Sequence, residues 1–192
     1  MPGRDIEYRL APIEVPSESD PQDLRLAGYA AMFNAPSHPL MVRGHRVVET
    51  IARGAFTRSL GEDPQSLYWQ HDPSMPLAST ASDTLDLIED DKGLRYEAWL
   101  PQTTLARDAV ALVRAGIVTQ MSFGFVVRDD HLDLAAGTRE LRDVQLVEVS
   151  LVEHAAYPQT SAAARSLTHS PDALSRPALR LRYLLTRRFR HV

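Results

Sequence analysis

The sequence predicts a mainly β protein with flanking helices, an α+β chain whose strands close into an antiparallel β-barrel. Three observations carry that expectation. Six to eight short segments alternate apolar and polar residues between clusters of proline, glycine, asparagine and aspartate, the period-two pattern of strands between turns. Ahead of the C-terminal tail only one segment, near residues 103–116, repeats its apolar residues at helical spacing over several turns. So many short strands would also leave aggregation-prone edges unless the sheet closed on itself.

The elements follow in chain order. Residues 6–10 read as a first strand, and APIEVPSESDPQD (11–23), rich in proline and acid, as a linker. LRLAGYAAMF (24–33) reads as a strand in which Gly28 marks a bend or bulge, and NAPSHP as a loop. VVETIARGAF gives a strand ending at Arg53 and Gly54, then a short helix from Phe56 to Leu60 stopped by Gly61. SLYWQHD is a strand and DPSMP a loop. DTLDLIED and GLRYEAWL pair through Asp90, Asp91, Lys92 and Gly93 as a hairpin. Thr103 or Thr104 caps the long helix, Leu105, Ala109, Leu112 and Val113 form its apolar stripe, and Gly116 ends it. MSFGFVVRDD and HLDLAAGTRELRDVQLVEVSLVE make a final strand pair before the small-residue stretch AAYPQTSAAARS. The resulting organisation is an N-terminal strand and acidic linker over 1–23, a main domain over 24–165 and a basic tail over 166–192.

Composition bounds the chemistry. With 192 residues and 44% apolar content the chain can bury one ordinary core. No run of eighteen apolar residues and no charged-then-apolar leader is readable, so the sequence predicts neither a membrane span nor secretion. Cysteine is absent, which removes disulfides, thiolate metal sites and cysteine nucleophiles together. None of the seven histidines falls in a His-x3-His or HExxH spacing, and no metal or other cofactor is expected. The net charge of −4 is unevenly spread. Residues 176–192 hold six arginines and no acid, leaving 15 bases (21 less those 6) against 25 acids, or −10, for the rest. A helix over 177–191 would gather Ala178, Leu181, Leu184, Leu185 and Phe189 on one stripe, with Arg180, Arg187 and Arg190 opposite and Arg188 breaking the pattern at the stripe's edge. Such a tail suits an acidic protein partner better than nucleic acid, because the acidic body repels a phosphate backbone.

Within MSFGF (121–125), alternation places Met121, Phe123 and Phe125 on one face of a strand and Ser122 and Gly124 on the other. The second face offers a hydroxyl and, at the glycine, open space where another chain could approach. A strand serine ordinarily bonds a neighbouring backbone, so its meaning depends on its company. SLYWQHD ends in His71, where an imidazole can be held by a strand and still reach a cleft as general base. In LVEVSLV (146–152), Val147, Val149 and Leu151 form an apolar face, while Leu146, Glu148, Ser150 and Val152 share the other. A carboxylate in mid-strand needs a partner if buried. An imidazolium would serve Glu148, and so would Arg142 or Arg139. Serine, histidine and carboxylate are the parts of a nucleophile activated by an oriented base, but chain spacing alone does not bring them together.

The succession VVETIARGAF, WQHD with PSMPLA, DDKGLRYEAWL, ARDAVALVRAGIVTQMSFGF and LVEVSLVEHAAYPQT resembles the prohead proteases of tailed phages, over roughly residues 24–162. That resemblance implies a serine endopeptidase acting inside the immature capsid, in the cytoplasm of the producing bacterial cell. It implies cleavage of scaffold or of the scaffolding segment of the major capsid protein, and of the enzyme itself. It also implies a barrel of the herpesvirus assembly-protease type and the possibility of a homo-oligomer. The family histidine falls on His71, the serine on Ser122 and the glutamate on Glu148; herpesvirus relatives use a second histidine, which makes His154 the alternative third member. A catalytically silent assembly protein on the same barrel is the rival reading.

Overall fold

The computed structural model describes residues 6–13 and 24–153. Ten strands and two α-helices lie among them: β1 (Glu7–Pro12), β2 (Arg25–Met32), β3 (Leu40–Val42), β4 (His45–Ile51), α1 (Thr57–Glu62), β5 (Ser66–Trp69), β6 (Asp72–Ser79), β7 (Leu85–Glu89), β8 (Gly93–Trp99), α2 (Thr104–Arg114), β9 (Gln120–Asp133) and β10 (Thr138–Val152). A 3-10 turn, Thr80–Ser82, separates β6 from β7. The expectations for His154, the small-residue stretch and the basic tail lie outside the described residues.

The ladders form two sheets. In the smaller, β8 is flanked by β2 and β7, all antiparallel. The larger runs β1-β9-β10-β4-β3, with β5 on β10 and β6 on β5. The sequence predicts antiparallel pairing throughout, but β10 pairs in parallel with β4 at Thr138 to Leu141 and with β5 at Val149 to Leu151. Both contacts join strands remote in sequence, and alternation within a strand carries no information about the direction of its neighbour. The first strand is the edge of the large sheet, in register from Glu7 opposite Phe125 to Pro12 opposite Gln120. Ala11 and Pro12, read from sequence as linker, thus belong to β1.

One core serves both sheets. Leu26, Leu94 and Tyr96 from the small sheet and Met121, Val149 and Leu151 from the large one are buried in the same apolar cluster. Phe33, Phe56, Phe123 and Phe125 form a chain of ring contacts through it, with successive centroids 6.4, 5.5 and 5.3 Å apart. α2 buries Ala106, Ala109, Val110 and Val113. Thr103 caps it by accepting from the Ala106 N–H at 3.1 Å, and Gly116 takes the expected left-handed conformation after its end. α1 differs from its expectation, because Gly61 lies inside the helix, which runs to Glu62 and is followed by an extended Asp63. DPSMP is likewise strand rather than loop: its two prolines sit on β6, whose one ladder partner among the described residues is β5, an edge where a missing N–H is tolerated. The bulge expected at Gly28 falls two residues on, where Ala30 is passed over between Tyr29 and Ala31.

Between the stretches that pair with β4 and β5, β10 has lost its ladder on one side, and the loop leading into α1, together with Ser59 of that helix, supplies the missing partners. Ala52 N–H donates to Leu141 O at 2.9 Å, Val144 N–H to Ala55 O at 3.0 Å, and Leu146 N–H to the Ser59 hydroxyl oxygen at 2.8 Å. Ser59 is itself buried. The gap is filled by side chain and loop, so no backbone donor among these three is stranded in the core. Here β10 also bulges: Leu146 stands opposite Phe125 and Glu148 opposite Gly124, leaving Val147 without a counterpart and half-exposed. Leu146 therefore faces the core, against the sequence expectation that it shares Glu148's face.

Candidate active site

Residues directly opposite each other in a ladder share a face of the sheet. Across the large sheet one row reads Leu10, Ser122, Ser150 and Tyr68, and the adjacent row reads Tyr8, Gly124 and Glu148. Ser122 and Glu148 thus come from β9 and β10 onto one face, one pleat apart. The aromatic face of the same strands, with Phe123 and Val149, is the core.

His71 reaches this face from a tight turn. Trp69 pairs with Asp72, so Gln70 and His71 alone connect β5 to β6. Both adopt positive φ, +51° and +61°. Two-residue hairpins favour this geometry, but with Asn-Gly, since each larger side chain costs about 1–2 kcal/mol in the left-handed region. The turn is held at its start by Gln70 N–H donating to Leu151 O at 2.9 Å. The strain is accompanied by a directed side chain: the His71 ring lies over the second row, with Nδ1 2.7 Å from Glu148 Oε1 and the ring edge-to-face with Tyr8 at 4.5 Å between centroids. Bonding to a carboxylate places the imidazole proton on Nδ1 and leaves the lone pair on Nε2.

Glu148 is nearly buried, and both carboxylate oxygens have partners. Oε1 takes the His71 contact and Oε2 accepts from the Ser150 hydroxyl at 2.5 Å. The arginines that could have claimed it are elsewhere: Arg142 binds Glu140, and Arg139 binds Glu7, Glu49 and Asp130. Asp72, the nearest acid in sequence to His71, instead accepts from the Ser74 amide and hydroxyl, which hold its carboxyl below the usual range.

Ser122 is fully buried, and its hydroxyl makes no hydrogen bond among the described residues. The geometry thus joins His71 to Glu148 and sets Ser122 beside them, unbonded to either. Gly124 has a different part from the one its sequence context suggests. A Cβ there would lie 2.8 Å from Tyr8 Cε1 and 3.0 Å from Glu148 Oε1, so the space above the glycine is taken up by the site's own groups rather than kept for an incoming chain. Sequence reading gave no role to Tyr8, Ser59 or Ser150. Ser150 was visible on the Glu148 face, whereas the placement of Tyr8 and Ser59 depends on pairings no local pattern reports.

No curated protein matches the chain. Among solved structures the chain resembles the bacteriophage T4 capsid assembly protease, at 12% identity with a TM-score of 0.50, over 77% of this chain and 98% of that one. That likeness is one of fold. The family model described as caudovirus prohead serine protease matches residues 11–173, which spans β1 Ala11 to beyond β10 and so includes His71, Ser122 and Glu148. The chain belongs to the caudovirus prohead serine protease family.

Proposed function

We propose that the protein is a serine endopeptidase of capsid maturation in which Ser122 is the nucleophile, His71 the general base and Glu148 the group that orients His71. The observation that carries this reading is the 2.7 Å contact between His71 Nδ1 and Glu148 Oε1 on the face that also holds an unbonded Ser122 hydroxyl. As Ser122 Oγ bonds to the substrate carbonyl carbon, its proton passes to His71 Nε2. The tetrahedral intermediate collapses with loss of the C–N bond, and the same proton goes to the leaving amine. Water then repeats the sequence on the acyl-enzyme, releasing the carboxyl product and restoring the Ser122 hydroxyl. Glu148 stabilises the imidazolium that forms in each half.

The substrates in this reading are the scaffold or the scaffolding segment of the major capsid protein, together with the enzyme's own chain, cut inside the immature capsid of the producing bacterial cell. Membranes and specific nucleic acid have no part in it. The two sheets are taken as the halves of an assembly-protease barrel, for which the single core they share is the support. Glu148 takes the third role in preference to His154 because its carboxylate meets the ring directly. The test is mass spectrometry of the full chain co-expressed with its capsid protein. Ser122→Ala is expected to leave both chains uncut. Normal processing by that variant would overturn the assignment.

A second expectation follows from burial. Because Ser122 is enclosed, the dilute protein is expected to react slowly with a fluorophosphonate, and faster once capsid protein or a second copy shifts the population toward an open site. The rate of Ser122 labelling, read as added mass, checks this; rapid labelling of dilute protein alone would contradict it.

A further inference from the structure

We propose that Ser150 is a positioning residue for the proteolytic centre: by donating its proton to Glu148 it fixes the carboxylate that holds the His71 ring. This inference rests on the triad reading given above. Ser150 is fully buried on β10, two residues beyond Glu148 on the same face and directly opposite Ser122 on β9. Its hydroxyl has one proton and two acceptors within its row and the next. Opposite residues in a ladder have Cβ atoms about 4.5–5.5 Å apart, close enough for two serines to bond. The proton is instead given to Glu148 Oε2, at 2.5 Å, and Ser122 Oγ is left without a hydrogen bond.

Two consequences follow for the chemistry. With Oε2 held by Ser150 and Oε1 by His71, the carboxylate is fixed at both ends, so the imidazole's tilt over the sheet is set from behind. A hydrogen bond donated to a carboxylate also disperses its charge and lowers its basicity. Removing the Ser150 hydroxyl therefore leaves more negative charge facing His71, which favours the imidazolium. The ring should then hold its proton to higher pH. A serine that merely fills space would have neither effect.

The test uses the full chain as Ser150→Ala and Ser150→Thr, with circular dichroism to establish folding. For cleavage of co-purified capsid protein, Ser150→Ala is expected to lower kcat by about 10- to 100-fold with little change in KM, the penalty for a slightly misplaced catalytic group. The acid limb of its kcat/KM profile should move to higher pH, and Ser150→Thr, which keeps a hydroxyl, should restore both. In parallel, the His71 ring is titrated by NMR in a Ser122→Ala background, its signal identified by loss in His71→Gln. Adding Ser150→Ala should raise the His71 midpoint. A folded Ser150→Ala protein with wild-type kcat and an unmoved His71 midpoint would overturn the proposal. Because the NMR titration needs no turnover, it separates this outcome from failure of the triad reading, which would show as cleavage by Ser122→Ala.

Discussion

His71→Ala lowers kcat for capsid-protein cleavage by on the order of a million-fold, and Glu148→Gln by about ten-thousand-fold, if the two residues act as base and orienter. The difference has a structural origin. Without the imidazole the general base of this reading is gone, and what remains is binding and oxyanion stabilisation. A glutamine at 148 can still offer an oxygen to His71 Nδ1–H and its amide to Ser150, so the ring keeps much of its place. It loses the charge that stabilises the imidazolium. Glutamine can also turn its amide toward Nδ1, which would favour the wrong tautomer. Product quantitation by mass spectrometry checks both variants. Cleavage by His71→Ala at more than a small fraction of the wild-type rate would remove His71 from the mechanism, and wild-type turnover by Glu148→Gln combined with its loss in His154→Ala would transfer the third role to His154.

Arg139→Ala is expected to cost about 3–5 kcal/mol of stability, the usual penalty for removing one partner from a buried ion cluster. Arg139 and Glu49 each keep only 2% of their side-chain surface, and they pair at 2.9 Å. Arg139 also meets Glu7 at 2.9 Å and Asp130 at 2.8 Å, while Arg9 bonds Glu49 at 2.7 Å and lies over the Phe125 ring. The cluster ties β1 and β4 to the β9–β10 hairpin, so its loss frees the strand that carries Tyr8 against His71. The pH dependence has a definite sign. Burial works to raise the Glu7 carboxyl, but hydrogen bonds from Arg139 and Arg9 outweigh it and hold the carboxyl below its ordinary value of 4.5. A depressed carboxyl contributes stability that is fully present above the unfolded value and is lost as pH falls through the folded one. The protein should thus lose stability below about pH 4.5, and Arg139→Ala should move this acid transition upward. Urea unfolding at neutral and acid pH measures both effects; an Arg139→Ala midpoint within experimental error of wild type would show that the cluster is dispensable.

What the sequence made legible was local. The α2 stripe with its Thr103 cap and Gly116 stop, the β7–β8 hairpin through Asp90 to Gly93, and the two faces of Ser122 and Phe123 all follow from periods and turn residues a few positions apart. The parallel pairing of β10 with β4 and β5 could not be read, since it joins strands separated by much of the chain. β6 was hidden by prolines that an edge strand tolerates. The site divides the same way. His71, Ser122 and Glu148 were recognisable as residue types in suitable contexts and through a family resemblance, but the left-handed turn at Gln70 and His71 has none of the glycine or asparagine that would announce it. The contact between His71 and Glu148 depends on that turn.

Val147 is a residue that the ladder does not count. Leu146 and Glu148 oppose consecutive positions of β9, so they behave as strand neighbours although one residue separates them in the chain. Loss of Val147 would leave an unbroken ladder with Leu146 still toward the core and Glu148 still toward His71. Loss of Val149, two places on, would set Glu148 and Ser150 side by side, and one of them would have to turn inward. The chain therefore has one point beside the Glu148 carboxylate where its length can change without inverting the sheet, and immediately next to it a stretch where a change of a single residue cannot be absorbed.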